Sequence, residues 1–492
     1  MSLINVKNLT FTYEGSHDPV FENVSLMLDT DWRLGLTGRN GRGKTTFLKL
    51  LMGEYPFSGQ ISVDVGFDYF PYEAIDRQRP TRDILAQMLP DVQEWEITRE
   101  LNLLKTANGL LDQPFETLSN GEQTKVLLAA LFLKQNRFLL IDEPTNHLDM
   151  DARAAVGGYL RQKRGFILIS HDRALLDGCV DHILSINKTG IDLQKGNFSS
   201  WWQNKAWQDS FEQAENDKLK KDIKRLEQAA KRTASWSDAV EKTKYGTKNS
   251  GLRPDRGFIG HKAQKMMKRA KSLEQRQQTA IEEKSGLLKN VETADALKLW
   301  PLRYPGGTLA TLEKVAIRYG ERVICENISF SIARGDRIAL CGPNGSGKSS
   351  LLKLILGEEI PYSGGLRLGG GLKISYVGQD ASVLSGNLSD YARQWRLDES
   401  LFKAILRKLD FSRVQFEKDM GDFSAGQKKK VLLARSLCEQ AHLYIWDEPL
   451  NFIDVYSRMQ IEALLKTYAP TLLFVEHDRV FCQEIATQTV MF

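Results

Sequence analysis

The sequence predicts an α/β protein made of two copies of one domain, joined by a long charged helical segment. Three observations predict this. The chain repeats three motifs in the same order at an offset of 304 or 305 residues: GRNGRGKTT (38–46) and GPNGSGKSS (342–350), LSNGEQTKVLLA (118–129) and FSAGQKKKVLLA (423–434), FLLIDEPTNHLD (138–149) and LYIWDEPLNFID (443–454). Each copy alternates short apolar runs with helical stretches, which is typical of a largely parallel sheet. Between the copies, apolar residues recur at helical spacing.

The repeat sets the expected domain boundaries. An ordered match of this kind indicates a duplicated domain, and 492 residues suffice for two or more domains with cores of their own. We place the first copy at 1–200, the joining segment at 201–300 and the second copy at 301–492. Strands around Val6–Tyr13 and Val315–Tyr319 should precede the two sheets.

Composition excludes several classes of protein. Hydrophobic residues make up 42% and charged residues 26%, as in ordinary globular chains. No uncharged apolar run approaches the roughly 18 residues that span a bilayer. The five cysteines are scattered and form no CxxC pair, which argues against a disulfide framework and a zinc site. We therefore expect a soluble, cytoplasmic protein without a membrane domain.

Two glycine-rich loops predict phosphate binding. Each matches GxxxxGK[ST] between an apolar strand and a helix, where backbone N–H groups and a helix N-terminus can hold phosphates. An accidental glycine turn is the alternative for one such loop, but two in register argue against it. The lysines would neutralise phosphate charge and the following hydroxyl residues would bind Mg²⁺. The candidate contacts are Gly38, Asn40, Gly41, Gly43, Lys44, Thr45 and Thr46, and Gly342, Asn344, Gly345, Gly347, Lys348, Ser349 and Ser350.

Paired carboxylates end a buried strand in each copy. Asp142 and Glu143 follow FLLI, and Asp447 and Glu448 follow LYIW. Two neighbouring acids at a strand end are costly unless they meet a cation or accept a proton. We expect Asp142 and Asp447 to hold Mg²⁺ through its waters, and Glu143 and Glu448 to polarise an attacking water.

The segments LSNGEQTK and FSAGQKKK place Ser and Gly at a helix start, which by itself is only an N-cap. The strings resemble the signature of ATP-binding-cassette (ABC) ATPases, which closes on the γ-phosphate held by the opposite domain. The resemblance implies that Ser119 and Gly121 complete the site of Lys348. Ser424 and Gly426 would complete the site of Lys44.

The same resemblance suggests further contacts. His171 in LISHDR and His477 in FVEHDR match the switch histidine that reaches the γ-phosphate, although a lone histidine at a strand end is usually structural. Tyr13 and Tyr319 match the aromatic residue that stacks on adenine. A core tyrosine is the alternative for both.

The two copies depart from the family pattern in different ways. The loop that normally carries a metal-binding glutamine reads SYVGQD in the second copy, giving Gln379, but DYFPYE in the first, with Tyr72 in its place. Asn120 replaces the usual glycine in the first signature. The candidate metal ligands are thus Thr45, Asp142, Ser349, Gln379 and Asp447. We expect two functional but unequal ATP sites.

The joining segment is basic. Residues 201–292 hold 21 Lys/Arg and 13 Asp/Glu, a net charge of +8 against +5 for the whole chain. We expect an antiparallel pair of helices with a loop at its tip, about 240–262, where glycines and a proline break the helical period. Basic residues interleaved with aromatics suit RNA phosphates and exposed bases; a plain spacer between the copies is the alternative. The tip candidates are Lys242, Lys244, Tyr245, Lys248, Arg253, Arg256, Phe258, His261 and Lys262. Trp201, Trp202 and Trp207 should pack the base of the pair onto the first copy.

The chain resembles the ABC-F family, because it has two cassettes and a charged helical linker between them. It looks like the Lsa-type antibiotic-resistance members of that family in four segments: WRLGLTGRNGRGKTT, FILISHDR, IWDEPLN and FVEHD. The fold class implied is α/β, with two tandem ABC-type P-loop ATPase domains and a helical hairpin linker. The resemblance also implies a monomer with an intramolecular cassette dimer, binding ATP and Mg²⁺ but not DNA.

The expected partners are the exit site and 23S rRNA of the bacterial 70S ribosome and the peptidyl-site tRNA. ATP would close the cassettes, the closed form would bind and disfavour lincosamides, pleuromutilins and streptogramin A, and hydrolysis would release the protein. A housekeeping ABC-F translation factor is the nearer alternative. The energising subunit of an exporter is the other.

Overall fold

The computed structural model describes residues 2–15, 18–72, 76–106, 109–146, 148–187, 190–243 and 296–492, together with positions 268, 271–272, 275–276 and 279. The chain divides into two compact units. One comprises Met1–Trp201 and Ala294–Phe492, and the other comprises Trp202–Thr293. The first unit contains both copies of the repeated domain.

The first copy contains a parallel sheet that presents its motifs along one edge. The sheet order is β5-β6-β7-β3-β8-β9, with only β9 antiparallel to its neighbour, and a smaller antiparallel sheet, β2-β1-β4, packs nearby. The strands are β1 Leu3–Phe11, β2 Phe21–Asp29, β3 Arg33–Thr37, β4 Ser58–Ser62, β5 Gly66–Phe70, β6 Arg137–Asp142, β7 Phe166–Ile169, β8 His182–Asn187 and β9 Gly190–Lys195. The α-helices are α1 Lys44–Leu51, α2 Thr81–Met88, α3 Glu94–Leu103, α4 Asn120–Leu133, α5 Met150–Leu160 and α6 Arg173–Cys179, with 3-10 helices at Leu110–Asp112 and Phe115–Thr117.

Burial explains why these runs form central strands. Leu139, Leu140 and Ile141 of β6 are at most 3% exposed, and all four residues of β7 are buried. Continuous apolar runs of this kind are covered on both faces in a parallel sheet. Because β6, β7 and β3 are neighbours, their carboxyl ends bring Asp142, His171 and the first glycine-rich loop to one edge.

The second copy repeats this plan. Its larger sheet has the order β14-β15-β16-β12-β17, all parallel, and its smaller sheet has the order β11-β10-β13. The strands are β10 Thr308–Tyr319, β11 Arg322–Ala333, β12 Arg337–Cys341, β13 Tyr362–Leu368, β14 Ile374–Val377, β15 Leu443–Asp447, β16 Leu472–Val475 and β17 Gln488–Met491. The α-helices are α8 Lys348–Ile355, α9 Leu388–Gln394, α10 Glu399–Lys408, α11 Ala425–Cys438, α12 Val455–Tyr468 and α13 Arg479–Ile485, with 3-10 helices at Arg413–Glu417 and Met420–Asp422. The predicted α/β class with two tandem domains is confirmed.

The joining segment begins with a long helix, α7 Phe198–Thr243. It starts three residues before the predicted boundary and contains Lys242. The other tip candidates, Lys244, Tyr245, Lys248, Arg253, Arg256, Phe258, His261 and Lys262, lie outside the described residues. The described positions from 268 to 279 are helical. Among the described helices, none is both long and apolar enough to cross a bilayer.

The tryptophans at the start of α7 differ from the prediction. Trp201 is 5% exposed and its ring lies edge-on to Tyr456 of the second copy, with centroids 6.4 Å apart. Trp207 is 77% exposed. The expected packing is wrong for Trp207, which is exposed, and Trp201 contacts the second copy, which the sequence did not predict.

Candidate functional site

Each glycine-rich loop holds its lysine in the same way. Gly43 and Gly347, just before α1 and α8, have left-handed φ values of 88° and 94°, which glycine adopts without strain. The Lys44 ammonium donates to the carbonyl oxygens of Gly38 at 2.8 Å and Arg39 at 3.2 Å. Lys348 donates to Gly342 at 3.0 Å and to Pro343 at 2.7 Å.

Burial lowers the pKa of both lysines, because an ammonium loses hydration there. A phosphate placed in the loop would replace that lost hydration and meet the N-terminus of a helix. The loops are therefore suited to bind a polyphosphate.

A hydroxyl and a carboxylate meet beside each loop. Thr45 Oγ1 donates to Asp142 Oδ2 at 2.7 Å, and the Ser349 hydroxyl lies beside the Asp447 carboxylate. Burial raises the pKa of both aspartates. Asp447 Oδ1 is buried and has no hydrogen-bond partner among the described residues. Oxygen donors with an unsatisfied buried carboxylate oxygen fit Mg²⁺, which prefers such ligands.

The glutamates after these aspartates have strained backbones. Glu143 and Glu448 have φ values of 50° and 48°, in the left-handed region that residues with side chains rarely adopt. Strain of this kind persists where the surrounding structure fixes it, and it concentrates at functional sites. The same conformation in both copies aims the two carboxylates in the same way.

The two glutamates differ in protonation. Burial, with the Asp142 carboxylate adding to it, raises the pKa of Glu143 to about 8. Its Oε1 lies 3.2 Å from Nε2 of His171, and burial lowers the pKa of that histidine well below its usual range. Glu143 is therefore largely protonated at neutral pH in this state.

In the second copy the balance is reversed. Burial would raise the pKa of Glu448, but the neighbouring His477 and Gln379 side chains outweigh burial and leave the pKa below its usual value. His477 Nε2 lies 3.5 Å from Glu448 Oε1, and the Asn451 amide donates to Oε2 at 2.5 Å. Glu448 is ionised at neutral pH and is the better placed of the two to accept a proton from water.

The first cavity is built from both copies. It has a volume of about 400 Å³. Its walls include Tyr13, Asn40, Gly41, Gly43, Lys44, Thr45, Thr46, Asp142, Glu143 and His171 from the first copy and Ser424 and Phe452 from the second. The Asn40 amide donates to the Phe452 carbonyl oxygen at 2.9 Å. The structure thus brings the second signature to the first loop.

The second cavity is larger, about 940 Å³, and has the reciprocal composition. Asn344, Gly345, Gly347, Lys348, Ser349, Ser350, Gln379, Glu448 and His477 face Ser119, Asn120 and Gly121 of the first copy across it. Ser119 and Ser424 also cap their helices, each accepting the N–H three residues on at 3.3 Å. The two serines therefore both cap a helix and line a cavity.

Two predicted pairs of residues are placed unequally. Tyr13 lines the first cavity and its hydroxyl lies 2.6 Å from Thr46 Oγ1. Tyr319 does not line the second cavity, although its hydroxyl lies 3.4 Å from Ser350 Oγ. Gln379 lines the second cavity together with Glu448, whereas Tyr72 does not line the first cavity. The Lys134 ammonium lies over the Tyr72 ring, 5.9 Å from its centroid.

Sequence reasoning missed a buried ion pair between the copies. Arg173 Nη1 donates to Glu462 Oε2 at 3.1 Å, and the two side chains are 10% and 9% exposed. In the reciprocal arrangement, Arg479 of the second copy stands at the position of Arg173, and Gly157 of the first copy stands at the position of Glu462. Arg479 is exposed. The difference between Glu462 and Gly157 at equivalent positions was the feature of the sequence that could have indicated this ion pair.

The first loop also reaches the second copy through its arginines. Arg39 lies over the ring of Tyr456, 5.4 Å from its centroid, and Arg39 and Arg42 each lie 3.8 Å from Asp410. The second loop has Pro343 and Ser346 at the equivalent positions. The two copies are therefore held together more extensively at the first cavity.

Comparison with known proteins agrees with this geometry. A family model described as ABC transporter matches residues 21–146 and 325–451, just over half of the chain. The chain belongs to the ABC transporter family. Its two copies are tandem ABC domains, and the protein is an ATPase that binds ATP.

The chain has ABC-F-type relatives along nearly its whole length. The ATP-binding protein Uup of Caulobacter vibrioides is 30% identical over 96% of this chain and 74% of its own length. The ribosome protection protein VmlR of Bacillus subtilis is 29% identical over 96% of this chain and 84% of its own. The archaeal ribosome recycling factor aABCE1, solved with the ribosomal stalk protein aP1, has a TM-score of 0.62 at 18% identity, covering 98% of this chain and 87% of that one. This last likeness concerns the fold alone.

Proposed function

We propose that this ATPase protects bacterial ribosomes from antibiotics bound at the peptidyl-transferase centre. The observation that carries the proposal is the similarity to the ribosome protection protein VmlR, which extends over 96% of this chain. The net charge of +8 on residues 201–292 supports it, since clustered Lys and Arg favour a polyphosphate partner. The protein would work in the cytoplasm, as a monomer whose cassettes at 1–200 and 301–492 are joined by the linker at 201–300.

Nucleotide binding would close the cassettes, because each cavity takes residues from both of them. Lys44 and Lys348 would neutralise phosphate charge, and Ser119, Gly121, Ser424 and Gly426 would contact the γ-phosphate from the opposite cassette. Tyr13 and Tyr319 would contact the adenine. Mg²⁺, held by Thr45 and Asp142 and by Ser349, Gln379 and Asp447, would supply charge neutralisation on the transferred phosphoryl group.

Hydrolysis would depend on the glutamates and histidines at the strand ends. Glu448 is ionised and would accept a proton from the attacking water, with His477 and Gln379 fixing its orientation. Glu143 would do the same with His171 once the cation and nucleotide had changed its surroundings. Hydrolysis would then open the cassettes and release the protein from the ribosome.

On the ribosome, the closed form would occupy the vacant exit-tRNA site and direct its linker toward the peptidyl-transferase centre. There the tip, with its basic and aromatic residues, would contact 23S rRNA and the peptidyl-site tRNA and dislodge lincosamides, pleuromutilins and streptogramin A. An apolar pair such as Phe258–Ile259 in a hydrophilic tip needs a partner to cover it.

The test is cell-free bacterial translation stalled by lincomycin, to which purified protein and ATP are added. Wild type should restore synthesis, and the Glu143→Gln, Glu448→Gln double variant should not, because it would stay on the ribosome. No recovery with ribosome binding intact would support the housekeeping translation factor. Loss of ribosome binding as well would support the exporter subunit.

A Phe258→Ala variant separates the tip from the ATPase. It should retain ATP turnover and ribosome binding but lose most of the recovery from lincomycin. Full recovery by this variant would favour a linker that acts only as a spacer.

A further inference from the structure

A buried lysine lies directly behind the second nucleotide cavity. Lys429, on α11, is 2% exposed. Its ammonium donates to the carbonyl oxygen of Gly378 at 2.9 Å and lies 3.5 Å from the carbonyl oxygen of Asp447. Burying an ammonium is costly, so a lysine here needs compensation from nearby polar groups. The second cassette supplies it through these carbonyls and through carboxylates, of which Glu476 has the strongest effect.

The two carbonyl groups belong to the segments that carry the reactive side chains. Gly378 directly precedes Gln379, and Asp447 directly precedes Glu448. The Gln379 and Glu448 side chains both line the second cavity. One ammonium therefore joins the backbone at the ends of β14 and β15 behind the cavity, while the side chains that follow these strands line it.

The first cassette lacks this arrangement. Thr124 stands at the position of Lys429, and Tyr72 stands at the position of Gln379. A third position also differs between the cassettes: Ser170 of the first corresponds to Glu476 of the second. At these three places the second cassette has a lysine, a glutamine and a glutamate, where the first has a threonine, a tyrosine and a serine.

Glu476 extends the network to two further loops. Its Oε1 accepts the N–H of Leu450 at 2.9 Å, and its Oε2 accepts the N–H of His477 at 2.7 Å. The carboxylate is 2% exposed, and its charge favours the charged form of the buried Lys429. The two buried groups contact the backbone of the segments that carry Gln379, Glu448 and His477.

We propose that Lys429 is the positioning residue of the second ATP site, fixing Gln379 and Glu448 in the arrangement that hydrolyses ATP, and that the first site lacks such a residue. The inference rests on the roles proposed above for Gln379 and Glu448. Lys429 does not line the cavity and acts through those two residues. Its loss should therefore slow the chemical step at the second site without weakening ATP binding.

The test measures steady-state ATP hydrolysis by the full chain in two backgrounds without ribosomes. Glu143→Gln leaves only the second site able to turn over, and Glu448→Gln leaves only the first. Lys429→Met keeps the length of the side chain and removes its charge. In the Glu143→Gln background it should lower kcat about 10–100-fold, as misplacement of a reacting group does, and change KM for ATP by less than about threefold.

Two controls distinguish positioning from a general loss of structure. In the Glu448→Gln background, Lys429→Met should leave first-site turnover unchanged, which also shows that the chain folds. Lys428→Met removes the neighbouring positive charge on the same helix, where the ammonium lies 3.5 Å from the Ser382 carbonyl oxygen, and it should leave both sites active.

Three results would overturn the proposal. The first is an unchanged kcat at the second site after Lys429→Met. The second is an equal loss of kcat at both sites. The third is a Glu143→Gln chain that does not hydrolyse ATP, because the second site would then have no activity of its own. Failure of the underlying role is seen separately: if Glu448→Gln alone left the activity of the wild-type chain intact, Glu448 would not be the base, whatever Lys429 does.

Discussion

The buried pair formed by Arg173 and Glu462 should control how long the cassettes stay closed. It joins the segment after His171 of the first cassette to α12 of the second, and both side chains are about nine-tenths buried. Arg173→Met removes the guanidinium and leaves a buried carboxylate without its partner. Loss of one partner from a buried pair costs about 3–5 kcal/mol.

The lower end of that range sets the expected effect. Glu462 can take up a proton, since burial already raises its pKa, and this limits the loss to about 3 kcal/mol. At 1.4 kcal/mol for each factor of ten, the closed form should be about 100-fold less favoured. The loss affects closure and not the cores of the cassettes, because the pair lies between them.

The assay is nucleotide release from the Glu143→Gln, Glu448→Gln chain, loaded with fluorescent ATP and followed after dilution. Release should be about 100-fold faster with Arg173→Met. Arg479→Met is the matched control, because Arg479 is exposed and Gly157 stands where its acidic partner would be. The reasoning is refuted if release from the Arg173→Met chain is unchanged, or if Arg479→Met speeds it equally.

Further predictions use the same chain. Gly426→Ala should speed nucleotide release at least tenfold, because its methyl group would lie 2.4 Å from a backbone carbonyl oxygen. At Gly121 the nearest atom would be 3.4 Å away, so Gly121→Ala should retain nucleotide. Equal effects of the two variants would contradict this prediction. Cys341 is 5% exposed, so iodoacetamide should label it slowly in the folded protein and rapidly after unfolding in urea, as followed by peptide mass spectrometry. Rapid labelling of Cys341 in the folded protein would contradict this prediction.

The repeated motifs determine the parts of the site that could be predicted from sequence. Strand order places the ends of β6, β7 and β3 side by side, so the residues that follow those strands meet at one edge whatever surrounds them. For this reason Lys44, Asp142 and His171 line a single cavity together with Glu143. The crossing of Ser424 to the first loop came from family resemblance and could not be derived from spacing.

What could not be predicted depends on packing between distant segments. The partner of Arg173 lies 289 residues away in the chain, and no local pattern marks it. The opposite pKa shifts of Glu143 and Glu448 follow from burial and from neighbours that differ between copies with nearly the same motif. The contact of Trp201 with Tyr456 could not be predicted either, because an aromatic residue in a sequence does not indicate which surface its ring will pack against.

The crossed construction of the two cavities has a thermodynamic consequence for ATP itself. Each cavity is complete only when the cassettes are together, so the first nucleotide to bind must meet the cost of ordering both halves against each other. The second nucleotide finds that arrangement already made and binds with higher affinity. By linkage the coupling is mutual, so emptying either cavity weakens the hold of the other on its ligand. A chain built in this way would favour the states in which both sites are filled or both are empty.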